Sequence, residues 1–205
     1  MVGLAGSLRR ESATSMAVRY ALEGAGEEGA TVEMLDIGSY SLPFLGQEKE
    51  PRNLEVVKRF RDDLRAADGM IWGSPEIHGG VSGVLKNALD LAGTDEFEGK
   101  MVGLVGVAGG RMGATDTLAS LRTIGRSVHA WVVPNQASIG DSGAAFDTSG
   151  TPRDPEVANR LFSVGRQVAH FARLHKCESH MQFLREWETG PFEYPPGPGR
   201  MPVQR

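Results

Sequence analysis

Apolar residues recur along the chain in two patterns, and these predict a regular succession of strands and helices. Short runs of mostly apolar residues are typical of strands that are buried on both faces of a sheet. Longer segments in which apolar residues return every three or four positions are typical of helices with one buried face. Strands are predicted at 2–6, 30–37, 69–74, 100–108 and 128–134, and helices at 13–26, 53–67, 81–92, 113–127 and 155–187.

Two segments follow neither pattern. Residues 39–46, SYSLPFLG, are predicted as a loop that exposes the aromatic side chains of Tyr40 and Phe44. Pro134 is predicted to end the last strand, because proline cannot donate a ladder hydrogen bond. Residues 135–153 are polar, rich in glycine and without a period, so we expect a long loop there.

The alternation of strand and helix predicts an α/β fold, a parallel sheet with helices on both faces. Five strands favour the flavodoxin-like order 2-1-3-4-5, a three-layer sandwich. We expect one domain over 1–188, followed by a flexible tail at 189–205 that is rich in proline and glycine. Ligands of such sheets bind at the carboxyl ends of the strands. Residues 6–12, 74–80 and 107–113 fall at those ends.

Composition and charge narrow the range of partners. The 205 residues include 22 Lys and Arg and 26 Asp and Glu, a net charge of −4, which disfavours binding to nucleic acids or anionic membranes. The one cysteine, Cys177, excludes an intrachain disulfide and fits a reducing compartment. No transmembrane stretch or signal-peptide pattern is apparent, so we expect a cytoplasmic protein. The first predicted strand is short, and we expect a few residues to precede it.

The first of the three loops, GSLRRES, resembles a cradle for a phosphate group. Ser7, Arg9, Ser12 and Thr14 surround the predicted start of a helix, where free N–H groups and a partial positive charge attract anions. Hydroxyl groups add directional donors. The alternative is that Ser12 only caps the helix and that the arginines face solvent.

The second and third loops are rich in glycine. In SPEIHGG, Pro75 directs the chain after the strand, while Gly79 and Gly80 allow the backbone to approach a flat ligand closely. The third loop, VAGGRMGA, repeats this arrangement with Gly109 and Gly110. Because the fold brings the three loops together, they predict one site for a ligand that has both a phosphate group and a heterocycle.

The stretches GSLRRES and SPEIHGGVSGVLKNALD resemble the NADPH-dependent FMN reductase family, which includes quinone, chromate and azo-dye reductases. The resemblance implies a flavodoxin-like fold, an FMN cofactor, and NADPH or NADH as the hydride donor. It also implies ping-pong electron transfer to a small-molecule acceptor: a quinone, free flavin, an azo dye or a metal oxyanion. Family members are usually dimers or tetramers, so a homodimer or homotetramer is expected, with no metal site.

The resemblance also implies roles for individual residues. The expected contacts to the FMN phosphate come from Ser7, Arg9, Ser12 and Thr14. The expected lining of the flavin ring comes from Pro75, Glu76, Ile77, His78 and Gly79, with Gly109 and Gly110 on its pyrimidine side. This chain departs from the family pattern at three of these positions. Thr14 stands where the family commonly has Asn, Ile77 stands where it usually has Tyr, and His78 stands where Asn is frequent. The departures leave the acceptor preference and the tightness of FMN binding open.

Two further side chains are candidates for chemistry. His78 could give a proton to a bound quinone, or could only form hydrogen bonds within its loop. Arg111 could pair with a phosphate of NADPH, or could be a solvated loop residue. The cofactor carries the redox chemistry in such enzymes, so no side-chain nucleophile is required. His129, His170 and His175 are predicted to be structural.

Other functions remain as alternatives. A flavodoxin-like electron carrier or a flavin-dependent sensor would bind FMN but oxidise NADPH negligibly. A partner-binding protein with a vestigial site would be consistent with Ile77. A hydrolase is disfavoured because the chain lacks a G-x-S-x-G elbow, and a Rossmann dehydrogenase because G-x-G-x-x-G is missing after the first strand.

Overall fold

The computed structural model describes residues 1–9 and 11–176. Its strands are β1 Val2–Ala5, β2 Glu33–Leu35, β3 Gly69–Ile77, β4 Gly80–Val81, β5 Met101–Val107 and β6 Trp131–Ile139. Its α-helices are α1 Ala13–Glu27, α2 Glu55–Ala66, α3 Gly83–Leu91, α4 Thr94–Phe97, α5 Thr115–Ser127 and α6 Pro155–His175. Two short 3-10 helices, Ile37–Tyr40 and Pro51–Asn53, lie between β2 and α2.

Five strands form a parallel sheet in the order β2-β1-β3-β5-β6. Counted along the chain as parallel strands, this is the order 2-1-3-4-5, so the flavodoxin-like prediction is confirmed. The short strand β4 was not predicted. It pairs antiparallel with the end of β3 and forms a hairpin at the carboxyl edge of the sheet.

The sheet is covered on both faces, which explains the continuous apolar runs of its strands. On one face, Trp72 belongs to a buried cluster with Phe60 of α2 and Leu121 of α5. On the other face, Ile71 belongs to a second cluster with Val18 of α1 and Val164 of α6. Neighbouring residues of β3 therefore face different layers, and the predicted three-layer sandwich is confirmed.

The last strand of the sheet differs from the prediction at both ends. It was predicted at 128–134, but β6 runs from Trp131 to Ile139, and Pro134 lies inside it. The register passes from Val102 opposite Val132 to Leu104 opposite Gln136, so Pro134 falls in a bulge where no ladder donor is needed. The side chain of Arg122 donates to the backbone oxygens of Val133 and Pro134 at 3.2 and 3.0 Å and stabilises this bulge.

Tyr40 is the second clear difference. It was predicted to be exposed, but its side chain is buried in the cluster that contains Phe60, with the two rings edge to face at 5.1 Å. Its hydroxyl donates to Asp63 Oδ2 at 2.6 Å. Phe44, in contrast, is 68% exposed, as predicted. The 3-10 helix that turns Tyr40 inward is capped by the side chain of Asp36, which accepts from Gly38 N.

Contacts within the chain group Met1–Ala172 into one compact unit. The second unit, Arg173–Arg205, is described only as far as residue 176. Cys177, the predicted helical residues 177–187 and the predicted tail lie outside the described residues, so the boundary at 188 stays a prediction. No helix within residues 1–9 and 11–176 combines the length and apolarity that crossing a bilayer requires.

Candidate functional site

The loops that follow β1, β3 and β5 lie side by side, because these strands are neighbours and parallel. Gly6 N donates to Gly73 O at 2.7 Å and joins the first loop to β3. A fourth loop, residues 140–154 after β6, also reaches this edge, since Ser142 N donates to Ala108 O at 3.1 Å. The sequence predicts a loop in that region, but no feature of the sequence indicates that this loop reaches the candidate site.

Ser12 caps α1, as one of the two readings proposed. Its hydroxyl accepts from Ser15 N at 3.0 Å and also lies 2.9 Å from Ser15 Oγ. The N–H groups of Ala13 and Thr14 belong to the same first turn, where the helix itself supplies no acceptors. The side chain of Thr14 is buried, and its methyl group lies against Gly73 of β3. Thr14 therefore packs the start of α1 against the sheet.

Arg9 lies between two clefts. One has a volume of about 290 Å³ and includes Ser7, Arg9, Ser15, Arg19 and Asp36 in its lining. Within the described part of the chain, no hydrogen bond or ion pair engages the guanidinium of Arg9 or of Arg19. Two cations and one carboxylate therefore give this cleft a local positive charge on a chain whose net charge is −4.

The second cleft, of about 380 Å³, lies between the start of α1 and the fourth loop. Arg9 and Ser12 line one side, while Phe146 and Asp147 line the other. A hydrogen bond from the hydroxyl of Ser149, and a further one from the backbone of Thr151, hold the pKa of Asp147 below its usual value. Asp147 therefore stays ionised, and this side of the cleft opposes a bound anion.

The second loop is a tight hairpin. Glu76 pairs with Val81 and Ile77 with Gly80, which leaves His78 and Gly79 as a two-residue turn. Both turn residues have positive φ, 50° and 73°, as a type I′ turn requires. Glycine adopts this conformation readily, and histidine is one of the few other residues that is enriched there. The side chains of Ile77 and His78 are exposed.

Glu76, unlike the exposed Ile77 and His78 that follow it, forms a side-chain hydrogen bond to a neighbouring helix. Its Oε2 accepts a hydrogen bond from Thr117 N at 3.0 Å, in the first turn of α5. A Cβ on Gly79 would lie 3.8 Å from Asp116 Oδ2, so the turn lies against the same helix start. The hairpin is therefore fixed to α5, and the carboxylate of Glu76 has a structural partner that the sequence did not indicate.

The third loop is open. Gly109 and Gly110 are exposed, and a Cβ on either would meet no atom within 4 Å. Arg111 is also exposed and lies 3.7 Å from the carboxylate of Asp141, at Nε. The backbone of Gly109 and Gly110 is therefore exposed, and Gly110 O accepts from Gly113 N at 3.4 Å and from Asp141 N at 3.2 Å.

The remaining predicted residues lie away from these loops. His129 precedes β6, at the amino edge of the sheet, with its Nδ1 3.3 Å from Glu98 Oε1. His170 packs beside Phe171 on α6, which His175 ends. Among residues 1–9 and 11–176, no three His, Cys, Asp or Glu side chains gather in a way that could hold a metal ion.

The donors at the start of α1 fit the phosphate end of FMN. Ser7 lines the first cleft, Ser12 and Ala13 at the start of α1 line the second, and Arg9 lines both. The hydroxyl of Ser7, the guanidinium of Arg9 and the first-turn N–H groups of α1 are donors of the kind that suits a phosphate monoester. The exposed backbone of Gly109 and Gly110, where an added Cβ would meet no atom within 4 Å, suits the close approach of a flat heterocycle.

Comparison with known proteins places the chain among flavin enzymes. The sequence profile of the NADPH-dependent FMN reductase family matches residues 1–144. The FMN-dependent NADPH-azoreductase of Staphylococcus aureus is 35% identical over 150 residues, 71% of this chain and 79% of that enzyme. The NADPH azoreductase of Bacillus sp. (strain OY1-2) is 37% identical over 107 residues, which span 52% of this chain and 60% of that enzyme.

Solved structures agree on the fold. FerB from Paracoccus denitrificans, a flavoenzyme NAD(P)H:(acceptor) oxidoreductase, has a TM-score of 0.69 at 22% identity, covering 85% of this chain and 97% of that one. The flavodoxin of Megasphaera elsdenii has a TM-score of 0.55 at 17% identity, covering 83% of this chain and 99% of that one. The profile match confirms the resemblance found in the sequence and the expectation of an FMN-dependent NAD(P)H oxidoreductase. The chain belongs to the NADPH-dependent FMN reductase family.

Proposed function

We propose that this chain holds FMN across its three loops and catalyses the NAD(P)H-dependent reduction of small aromatic acceptors, in a ping-pong sequence. Azo compounds are the acceptor class that the names of its relatives in Staphylococcus aureus and Bacillus suggest. The observation that carries the proposal is the donor set at the start of α1. Ser7 borders a cleft of about 290 Å³ there together with Arg9, whose guanidinium has no ion-pair partner among residues 1–9 and 11–176.

Each loop has a distinct part in this proposal. Ser7, Arg9 and the first turn of α1, which Ser12 caps, would bind the phosphate. The hairpin from Pro75 to Gly79 and the backbone of Gly109 and Gly110 would border the flavin ring. When bound, FMN would supply two-electron chemistry, taking a hydride from NAD(P)H and passing electrons to the acceptor.

The chain's own residues then need only bind, orient and shield the reactants. The hydrogen bond from Thr117 N to Glu76 keeps the hairpin in place beside the ring site. His78, at the exposed tip of the hairpin, would hold a proton for the reduced acceptor. Ile77, which is 52% exposed, offers an apolar contact to an aromatic acceptor, and Arg111 would contribute a positive charge for a phosphate of NADPH.

We also propose that the chain is cytoplasmic and forms a homodimer or homotetramer. Exposed large apolar side chains support self-association, since monomers rarely expose many of them together. Phe44 is 68% exposed and Leu45 is 52% exposed, and both lie on one short loop. Light scattering after gel filtration would give the mass, and a monomer at micromolar concentration would contradict this part of the proposal.

An anaerobic absorbance spectrum tests the function. The purified chain is mixed with FMN, freed of unbound flavin and then treated with NADPH. A retained flavin spectrum that bleaches and is restored by an azo compound supports the proposal. A retained spectrum that does not bleach favours an electron carrier or a sensor. Failure to retain flavin at micromolar protein contradicts the binding assignment.

A further inference from the structure

Ser82 connects two of the loops of the site. Its hydroxyl donates to the backbone oxygen of Gly6 at 2.7 Å, although the two residues are 76 positions apart in the chain. Ser82 is only 6% exposed, so water does not compete freely for this hydrogen bond. A Cβ on Gly6 would collide with Ser82 Oγ and would lie 2.8 Å from Leu85 Cβ, so only glycine allows the approach.

Ser82 is itself held from three directions. Its N–H donates to Ser74 Oγ at 3.0 Å, and Ser74 Oγ donates in turn to Pro75 O at 2.8 Å. Its hydroxyl oxygen accepts from Leu85 N at 3.3 Å and so caps α3. A serine hydroxyl can donate one hydrogen bond and accept two, and this hydroxyl donates one, to Gly6 O, and accepts one, from Leu85 N. Its position is therefore determined by β3 and α3 together.

The backbone of Gly6 is consequently fixed at both of its polar groups. Its N–H donates to Gly73 O at 2.7 Å, and its carbonyl oxygen accepts from Ser82. The peptide that links Gly6 to Ser7 is planar and trans, so the N–H of Ser7 points opposite to the carbonyl of Gly6. The bond from Ser82 thus directs the Ser7 N–H away from α3, on a residue that lines the cleft beside Arg9.

We propose that Ser82 is a positioning residue for the phosphate cradle: its bond to Gly6 orients the Ser7 backbone N–H as a donor to the phosphate monoester of FMN. This inference rests on the proposed function. It assigns to Ser82 a share in the discrimination between FMN and riboflavin, which has the same ring but no phosphate.

Two variants separate this role from helix capping. Ser82→Ala removes both the bond to Gly6 and the cap of α3. Ser82→Gly also removes the donor but leaves most of the capping stability, because glycine is tolerated at the N-cap position. The matched control is Ser127→Ala, which removes a serine hydroxyl that also donates to a backbone oxygen, that of Ile124 at 2.8 Å, at the end of α5 near the amino edge of the sheet.

The experiment measures the dissociation constants of FMN and of riboflavin by flavin fluorescence, using the full chain freed of flavin. The wild type is expected to favour FMN clearly. Ser82→Ala and Ser82→Gly are expected to weaken FMN binding about fivefold, as for one lost hydrogen bond, and to change riboflavin binding less than twofold. Ser127→Ala should leave the ratio of the two constants unchanged.

Several results would overturn the inference. Equal weakening of FMN and riboflavin would show that Ser82 only supports the fold, and unchanged FMN binding in Ser82→Gly would show that Ser7 needs no such support. If Ser82→Ala does not fold, Ser82→Gly decides the question. A wild type that binds FMN no better than riboflavin would remove the phosphate cradle itself, which is a failure of the proposed function and is visible without any variant.

Discussion

The side-chain carboxylate of Glu76 accepts a hydrogen bond from the backbone N–H of Thr117, with 3.0 Å between Oε2 and the nitrogen. The bond spans 41 residues and joins the end of β3 to the first turn of α5. A negative charge at the start of a helix also interacts favourably with the helix dipole. Glu76 therefore fixes the hairpin, and with it one border of the site, to a neighbouring helix.

Replacing Glu76 should lower the stability in two steps. Glu76→Gln retains an oxygen acceptor without the charge and should cost about 0.5 kcal/mol, as for an interaction with the helix dipole. Glu76→Ala removes the acceptor as well and should cost about 1.5 kcal/mol. Unfolding in urea measures both. Asp62→Ala, at an exposed residue of α2 that lies outside its first turn and pairs with Arg65, is the control and should change little. Equal losses in the two Glu76 variants would contradict a role for the hydrogen bond.

Arg9 should be essential for the affinity for FMN. A charge-assisted contact contributes about 1.5–3 kcal/mol, so Arg9→Ala should weaken FMN binding by roughly 10- to 100-fold. The loss should be smaller at high salt, because salt screens exposed charges. Arg160, which lies in a groove near the start of α6, supplies a matched control, and Arg160→Ala should bind FMN like the wild type. Unchanged affinity in Arg9→Ala would remove the phosphate assignment.

Arg19 distinguishes the two clefts beside Arg9. It lines the cleft of about 290 Å³ but is not part of the lining of the other. If the phosphate lies in the first cleft, Arg19→Ala should also weaken FMN binding, by a smaller factor than Arg9→Ala. Normal binding by Arg19→Ala together with weak binding by Arg9→Ala would place the phosphate on the side of Ser12 and Phe146.

His78 has two roles to separate, one in the turn and one in proton transfer. His78→Asn should keep the turn, because asparagine adopts positive φ readily, whereas His78→Val should destabilise the chain by about 1–2 kcal/mol. If His78 donates a proton to the acceptor, His78→Asn should lower turnover, and general acid catalysis sets the scale at about 10²-fold. Steady-state turnover of an azo dye, measured beside thermal unfolding, separates the roles. Normal turnover in His78→Asn would leave only the turn.

The sequence predicted the layers of the fold, and it predicted that the three loops of the candidate site lie at one edge of the sheet. Continuous apolar runs such as that around Ile71 and Trp72 occur because each strand is covered by helices on both faces, so the pattern reports the layer structure directly. The three loops could be placed because parallel strands bring their carboxyl ends to one edge. The pattern of apolar residues along the chain is therefore sufficient to predict the layers and the placement of the three loops.

The parts that the sequence did not predict depend on contacts between distant residues. The partner of Glu76 is 41 positions away and that of Ser82 is 76 positions away, and no local pattern marks either pair. Tyr40 is buried because it packs against Phe60 of α2, which a loop composition cannot reveal. Pro134 lies within a strand because the bulge of an edge strand removes the need for its missing donor.

Asn87 should control the mobility of the loop that carries Phe44 and Leu45. Its Oδ1 accepts from Leu45 N at 3.0 Å, and its Nδ2 donates to Pro43 O at 2.9 Å. Asn87→Ala removes both hydrogen bonds, each contributing about 1 kcal/mol, so the loop should open roughly 30-fold more often. Cleavage by chymotrypsin next to Phe44 under native conditions should accelerate accordingly.

Asn53→Ala is a suitable control for that experiment, because the amide of Asn53 bonds only to Glu50 within its own turn among the hydrogen bonds of the described residues. It should leave the cleavage near Phe44 unchanged. Equal cleavage rates in Asn87→Ala and the wild type would mean that packing, not the two hydrogen bonds, holds the loop.

Tyr40 should make the stability fall at alkaline pH. Burial, and then the hydrogen bond to Asp63, raises the pKa of Tyr40 well above its ordinary value of 10.0. Above pH 10 the unfolded chain releases this proton while the folded chain keeps it. The folded state then binds more protons, so the free energy of unfolding decreases as the pH rises. The stabilisation by Tyr40 is thus fully present below pH 10 and is lost as the pH rises from there towards the folded pKa.

The variant Tyr40→Phe isolates this contribution, because any other group that titrates in the same range is common to both proteins. Near pH 8 the wild type should exceed the variant in unfolding free energy by about 1 kcal/mol, for the bond to Asp63. Since one pKa unit corresponds to about 1.4 kcal/mol, the difference should approach zero close to pH 10.5. Urea unfolding at pH 8, 9.5 and 10.5 measures it, and Tyr20→Phe controls for the loss of a tyrosine hydroxyl elsewhere on the chain. A difference that stays constant across this range would mean that the folded chain releases the proton of Tyr40 as easily as the unfolded chain does.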